Sequence, residues 1–254
     1  MHRAQQYFDT FINPAGNAPT GIALNPTTAS RLELELAEDA KSYLYSAVVS
    51  VGDAIQGIQR EMFSWSTVKL YYAVFYALRA VLAAHKYAII YHVVGQKGTP
   101  YRLLAASGQA PTKLSGNTHK VILQQYTVHF PGAPMVTQLI GIQKPFDWMM
   151  DRREEINYKN AKFHEPAAPL FFKKIASENI RRLLLAYIND NGTTFAFDPD
   201  HAIIALPIAA IQAAKTAFAA MVPPAVLLED DAKFLAGLFR DRHGEMPGAR
   251  MLLP

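Results

Sequence analysis

Cysteine is absent from this chain of 254 residues. Its absence excludes disulfide bonds, zinc sites built from thiolates and cysteine nucleophiles, and it is typical of proteins in a reducing compartment. The first ten residues lack the apolar core of a secretory signal peptide. We therefore expect a cytoplasmic protein.

The common catalytic signatures are missing as well. The sequence has no P-loop, no glycine-rich fingerprint behind a strand, no H-E-x-x-H pair and no nucleophile elbow. The segment from Asp198 to His201 contains residue types that bind metals, but its place before a predicted helix is more typical of a helix cap. We expect neither a cofactor nor a metal.

Positive charge is only slightly in excess of negative charge. Lys and Arg number 25 against 21 Asp and Glu, which gives a formal charge of +4 at pH 7. This balance permits a polyanionic partner without requiring one. The segment from Arg152 to Ile188 has eight basic and four acidic residues, so its local excess equals that of the whole chain. Such a segment attracts a phosphate backbone, although solvated helix faces explain it equally well.

Long apolar runs are scarce. The run from Ala202 to Val222 is almost long enough to span a bilayer, but it includes Pro207, Gln212 and Lys215. A charge near the middle of a bilayer costs a few kcal/mol, roughly 3. We expect a buried or partner-facing helix here and no membrane association.

Half of the residues are hydrophobic, and their spacing predicts helices. Apolar side chains recur at helical spacing from Arg31 to Arg60, with Thr28 or Ser30 as the cap. The following helix, from Trp65 to about Tyr87, is apolar on most sides and is therefore predicted to be surrounded by other helices.

Proline and glycine divide the rest of the chain into shorter pieces. Residues 1–30 are rich in Pro, Asn, Gly and Thr and are predicted to form an extended arm. The segment from Tyr87 to Val94 is a candidate strand, but the predicted fold class is all-α. The shorter helices are predicted at Thr118–Phe130 behind the cap Asn117, Phe146–Tyr158, Leu170–Ile188, His201–Met221 and Leu227–Arg240, the last two separated by Pro223 and Pro224.

One helical segment combines aromatic residues with a single arginine: Tyr71-Tyr-Ala-Val-Phe-Tyr-Ala-Leu-Arg-Ala-Val-Leu82. The residues alone predict a buried helix whose rings fill a core and whose hydroxyl groups reach polar partners. The pattern also resembles the second helix of the HEPN superfamily, helical bundles common in prokaryotic toxin–antitoxin and antiviral systems. Two further pieces follow in that family's order. Asn117-Thr-His-Lys-Val-Ile122 resembles its short histidine-containing helix, and Arg153-Glu-Glu-Ile-Asn-Tyr158 resembles its arginine element.

The resemblance implies an architecture and an assembly. It implies a HEPN-like helical bundle over residues 31–190, preceded by the arm at 1–30 and followed by a helical extension at 191–254 that has no counterpart in the family. It also implies a homodimer, in which the two arginine elements meet across a helix–helix interface. The apolar helices of the extension are candidates for binding another protein.

Members of this family that cleave RNA pair an arginine with a histidine a few residues further along. A histidine can transfer the proton of a ribose hydroxyl, and an arginine can hold the phosphate. Here Asn157 and Tyr158 occupy the positions at which Arg152 and Arg153 would find their histidine. Asparagine transfers no proton at neutral pH, and tyrosine has a pKa near 10. The usual catalytic pair is therefore missing.

The candidate site residues follow from this comparison. We predict that Arg153 points inward and holds phosphate, and that Asn157 and Tyr158 orient it. His119 and His164 are the candidate proton carriers, or else ordinary surface residues.

Two other arginines, Arg152 and Arg79, are not included in this site. Arg152 is predicted to face outward. Arg79 and His85 also have suitable spacing, but six residues turn a helix by about 600 degrees, so the two lie about 120 degrees from a shared face. We interpret that match as chance.

Two functions are consistent with the sequence. The first is an RNA-targeting component of a bacterial defence or toxin–antitoxin system, with metal-independent endoribonuclease activity if a histidine reaches Arg153 in space. The alternative is a non-catalytic HEPN-like adaptor, or a protein that binds a nucleotide or a protein partner.

Overall fold

The computed structural model describes residues 2–159, 161–191, 194–221 and 228–253. Within these ranges most residues are helical. The α-helices are α1 (Arg3–Tyr7), α2 (Pro26–Ile58), α3 (Phe63–Ala84), α4 (Thr118–His129), α5 (Pro134–Thr137), α6 (Pro145–Glu154), α7 (Lys173–Ala176), α8 (Ile180–Asn189), α9 (Ala202–Ala219) and α10 (Glu229–Leu238).

Two small antiparallel sheets accompany the helices. The first contains β1 (Tyr87–Val94), β2 (Lys97–Leu104) and β3 (Thr112–Lys113) in that order, and the second pairs β4 (Arg240–Asp241) with β5 (Gly244–Glu245). The chain is thus predominantly helical, as predicted, but it is not strictly all-α. The candidate strand at Tyr87–Val94 is confirmed, whereas its partner β2 had not been predicted.

The chain forms two compact units. Unit 1 comprises Met1–Tyr43, Leu78–His129 and Thr216–Ala225, and unit 2 comprises Leu44–Ala77, Phe130–Lys215 and Val226–Pro254. Helices α2 and α3 contribute residues to both units. The division predicted from the sequence, with boundaries near residues 30 and 190, remains a prediction.

Helix α2 confirms the predicted apolar spacing but starts earlier than predicted. Its cap is Asn25, whose side-chain oxygen accepts the Thr28 amide at 2.9 Å while the Thr28 hydroxyl accepts the Asn25 amide at 3.0 Å. These reciprocal bonds satisfy the exposed amides of the first turn, and Pro26 needs no amide partner there. Thr28 and Ser30 are therefore not the cap. The buried apolar residues of α2 include Leu32, Leu36, Tyr43, Val48, Val51, Ile55 and Ile58.

Helix α3 is buried on most sides, as its composition predicted. Both α3 and α9 are long and apolar enough to cross a membrane by length and composition, and 78% and 61% of their most apolar windows are buried. Buried core helices pass the same test, so these two helices carry no membrane assignment.

Unit 1 places a sheet beside helices. Residues of α1, α2, α3, β1 and α4 line one small cavity, which places these elements against one another. One face of the sheet is buried through Ala88, Ile90, Tyr101 and Leu103. The free edge of β1 is covered at Tyr91, whose amide donates to the Gln5 side chain at 2.7 Å and whose carbonyl accepts from it at 3.1 Å. A side-chain amide thus takes the place of a neighbouring strand.

The N-terminal residues are more regular than predicted. Arg3–Tyr7 form α1 and Phe8–Ile12 continue as a turn of π-helix, so this part of the arm is not extended. The Asp39 carboxylate accepts the Arg3 and Ala4 amides at 2.8 and 3.0 Å and thereby holds the start of α1 on α2. This carboxylate supplies the capping group that the segment itself lacks.

In unit 2 the predicted helix from Leu170 to Ile188 is broken. It begins as a 3-10 turn, continues as α7, and restarts as α8 after Asn179, whose side-chain oxygen accepts the amides of Arg181 and Arg182 at 2.9 and 3.3 Å. The predicted helix at Phe146–Tyr158 is α6 followed by a π-helical turn at Glu155–Lys159. The predicted break at Pro223 and Pro224 lies outside the described residues.

Candidate functional site

Arg153 lies in the last turn of α6, in unit 2, with its guanidinium group against aromatic rings. The guanidinium carbon is 4.8 Å from the centroid of the Tyr71 ring on α3 and 5.9 Å from that of Tyr158. Trp148 and Met149, earlier in the same helix, are buried. Arg153 is half-buried, and its contact with Tyr71 shows that it is directed toward α3.

Tyr71 remains protonated at neutral pH. Burial raises the pKa of its hydroxyl to about 12, although the neighbouring positive charge of Arg153 works in the opposite direction. A neutral phenol keeps the electron-rich face of its ring available to a guanidinium group and contributes no negative charge. Arg153 is therefore held against Tyr71 without being neutralised by it.

Arg152 does not face outward as predicted. Its guanidinium carbon lies 5.6 Å from the Trp148 ring centroid and 5.5 Å from that of Phe171, and its Nη1 is 3.2 Å from a carboxylate oxygen of Glu155. The sequence did not indicate this because Phe171 follows Arg152 by nineteen residues. The same turn of α6 therefore packs two arginines against aromatic residues.

The two arginines differ in how their charge is compensated. Arg152 forms an ion pair with Glu155, whereas Arg153 forms no ion pair within the described residues. The Nε atoms of both are buried and lack a hydrogen-bond acceptor in the part of the chain that the structure describes. A buried donor without an acceptor is costly. An anion beside the guanidinium group would balance the charge of Arg153.

The π-helical turn after α6 carries the other two residues of the predicted arginine element. It buries Ile156, leaves Asn157 half-buried and leaves Tyr158 74% exposed. Wide turns of this kind are frequent at functional sites because they change the direction of side chains along a helix. Asn157 and Tyr158 thus lie within one turn of Arg153, and Tyr158 contacts its guanidinium group.

The two candidate histidines lie in different units. His164 is half-buried in unit 2, and the next residue, Glu165, accepts the Ser64 amide and hydroxyl at 2.6 Å each. Ser64, which bonds to Glu165, and Tyr71, which contacts Arg153, are seven residues apart on α3. This spacing corresponds to about 10 Å of helix. His119 lies in α4 of unit 1.

Three aromatic rings of α3 form a stripe that is not fully buried, although the rings of Tyr72 and Tyr76 were predicted to fill the core. Trp65 is 48% exposed, and Tyr72 and Tyr76 are half-buried with ring centroids 6.1 Å apart. The Phe163 ring covers one edge of Trp65 at 5.8 Å. The three rings are spaced by seven and then four residues, which places them on one face of a helix. This spacing could have predicted the stripe from the sequence. We call Trp65, Tyr72 and Tyr76 the aromatic stripe.

The basic residues near this site divide into paired and unpaired groups. Lys174 and Arg182 share Glu178, and Arg181 pairs with Asp241. Four others form no ion pair within the described ranges: Arg153, Lys159, Lys162 and Lys173. These four residues therefore account for the local excess of positive charge.

Models of known protein families, curated proteins and solved structures give no significant match to this chain. Among the described residues no cluster of three or more His, Asp or Glu side chains could hold a metal ion. The function is therefore inferred from the geometry of unit 2 and from the resemblance of the sequence motifs.

Proposed function

We propose that the protein is an RNA-targeting HEPN-like component of a bacterial defence or toxin–antitoxin system, and that it binds single-stranded RNA on unit 2. The binding surface consists of Arg153, Lys159 and Lys162 together with the aromatic stripe. The observation that carries the proposal is that Arg153 packs on Tyr71 and forms no ion pair with any residue that the structure describes.

Contacts within unit 2 connect the guanidinium group of Arg153 to the aromatic stripe. Arg153 lies over Tyr71, whose ring touches Tyr72 edge-on at 5.7 Å, and Tyr72 touches Tyr76. Arginine binds phosphate by parallel hydrogen bonds, and exposed rings bind unpaired bases by stacking. In a duplex the base faces are already stacked, so this combination favours a single strand over a double strand.

Binding of a fluorescently labelled single-stranded RNA, followed by anisotropy, tests the proposal. Arg153→Ala and Tyr72→Ala should each weaken binding by roughly tenfold or more, and Tyr72→Phe, which keeps the ring, should not. Lys97→Ala removes one exposed cation from unit 1 and is the matched control. Equal affinity for wild type and Arg153→Ala, or tighter binding of duplex RNA, would contradict the proposal.

Cleavage is the second part of the test. Of the two candidate histidines, His164 belongs to the same unit as Arg153 and neighbours the anchored Glu165, so it is the one chosen for the test. Incubation of wild-type protein with RNA in the presence of a chelator should give products that disappear in His164→Asn. Binding without products identifies a non-catalytic adaptor. Sedimentation measurements test the homodimer that the resemblance implies.

A further inference from the structure

A second group of polar side chains lies on the open face of the sheet in unit 1. Arg102 on β2 is opposite Ile89 on β1 and opposite Thr112 on β3, so the three share one face. Tyr87 precedes Ile89 by two residues and lies on that face too. This is the face opposite to the buried one, and Arg102, Tyr87 and His129, the last residue of α4, are half-exposed.

The side chains of this group contact one another closely. A guanidinium nitrogen of Arg102 is 3.1 Å from Nε2 of His129, and the other terminal nitrogen is 3.5 Å from the Thr112 hydroxyl. The Tyr87 and His129 rings are stacked with centroids 3.9 Å apart and an angle of 21° between their planes. Arg102 forms no ion pair within the described residues.

The contact between Arg102 and His129 fixes the state of the imidazole. A guanidinium group only donates hydrogen bonds, so Nε2 of His129 must accept and the ring is neutral, with its proton on Nδ1. Burial lowers the pKa of His129, and the positive charge of Arg102 lowers it further. The free protein therefore keeps a positive charge and a proton acceptor side by side, with no counter-charge between them.

We propose that Arg102, His129 and Thr112 form a binding site for the dianionic phosphate group of a phosphomonoester. A phosphate oxygen placed between Arg102 and His129 would accept a hydrogen bond from each once Nε2 is protonated, and the Thr112 hydroxyl would donate a third. The Tyr87 ring holds the imidazole in place and favours its cationic form. Binding therefore takes up one proton near neutral pH.

Titration of the His129 ring by NMR tests the site. Inorganic phosphate should raise the pKa of His129 by roughly one unit in a saturable manner, and sodium chloride of equal ionic strength should not. Uridine 5′-monophosphate should act as phosphate does, and uridine should have no effect. Absence of a saturable shift, or an equal shift with chloride, overturns the proposal.

Variants separate this site from its surroundings and from the RNA surface of unit 2. Arg102→Gln should abolish the phosphate-dependent shift, and Arg102→Lys, which keeps the charge without the planar fork, should weaken the affinity about tenfold. Lys113→Gln removes an equal charge from the opposite face of the sheet and should change nothing. Arg153→Ala should retain the shift, so RNA binding and phosphate binding can fail independently. A shift that survives Arg102→Gln refutes the assignment.

Discussion

Glu165 joins a loop of unit 2 to the start of α3. Its carboxylate accepts the amide and the hydroxyl of Ser64, the second residue of the helix. Burial acts to raise the pKa of Glu165, but the two bonds from Ser64, with a smaller contribution from His164, outweigh burial and hold the pKa below its usual value. A carboxylate at a helix N-terminus satisfies amides that have no partner within the helix.

This arrangement predicts a loss of stability in acid. A carboxylate with a lowered pKa in the folded state stabilises the fold above its unfolded pKa and loses that effect as the pH falls through the folded value. Glu165→Gln should therefore cost about 1 kcal/mol at pH 7, or about 2 to 4 °C in Tm, and less at pH 3. Thermal unfolding at both pH values measures this. Glu61→Gln, at an exposed position, is the control, and an equal loss at both pH values would exclude the mechanism.

Arg79 is the buried arginine of the aromatic segment Tyr71–Leu82. Its guanidinium group donates to the Tyr43 hydroxyl at 2.6 Å and lies 4.2 Å from the centroid of that ring, whereas His85 is exposed beyond the end of α3. Arg79→Ala should lower the free energy of unfolding by about 2 to 4 kcal/mol, since it leaves a buried hydroxyl without its donor. Urea denaturation should show a change below about 1 kcal/mol for Lys233→Ala, which breaks an ion pair with Glu229 in which both side chains are exposed.

The candidate site was partly predictable from residue types. The direction of Arg153 toward aromatic residues of the middle helix followed from its place beside the apolar residues of its own helix. The position of Arg152 did not follow, because its aromatic neighbour Phe171 comes from a distant segment. The roles predicted for Asn157, Tyr158, His119 and His164 stay predictions.

Two glycines in helices of unit 2 have opposite surroundings. A Cβ atom at Gly52 in α2 would lie 2.7 Å from the Cβ atom of Leu238, at the end of α10. Rotation of the Leu238 side chain cannot move that atom. A Cβ atom at Gly237 in α10 would meet nothing within 4 Å. The first glycine permits close approach of two helices, and the second does not serve packing.

The same substitution should therefore have opposite effects at these positions. Alanine favours a helix over glycine by about 1 kcal/mol, so Gly237→Ala should stabilise the protein by up to that amount. Gly52→Ala should instead destabilise it by about 1 to 3 kcal/mol, because one helix must shift. Chemical denaturation of both variants compares them directly. Stabilisation by Gly52→Ala would show that α10 does not pack closely on α2.

Elements with a strong local pattern were predicted well. The apolar spacing of α2 and the cap Asn117 of α4, whose side chain accepts the Lys120 amide at 3.0 Å, are local signals. The break before α8 was missed because Asn179 lies inside an otherwise helical apolar pattern. Strand β2 was missed because Gly98 and Pro100 are typical of loops. Its structure depends on pairing with β1, which supplies the hydrogen bonds that its own sequence does not predict.

At the scale of the whole molecule, the pairing of charges indicates better than the net charge which cations are available to a phosphate. The formal surplus of +4 is small, but among the described residues the ion pairs of unit 2 leave Arg153, Lys159, Lys162 and Lys173 uncompensated. A cation already paired with a carboxylate releases few additional counterions when a phosphate approaches it. Under the proposed function, the cations without an ion pair are therefore the ones expected to contribute to RNA affinity.

The salt dependence of RNA binding should reveal this distribution. Each phosphate of a single strand that is neutralised contributes about −0.7 to the slope of log K against log salt concentration, so Lys159→Gln should make the slope shallower by about 0.7. Lys174→Gln removes the same charge from a position that shares Glu178 with Arg182 and should leave the slope nearly unchanged. Anisotropy titrations from about 50 to 200 mM salt measure both slopes. Equal changes for the two variants would mean that RNA responds to the net charge of the protein and not to the unpaired cations around Arg153.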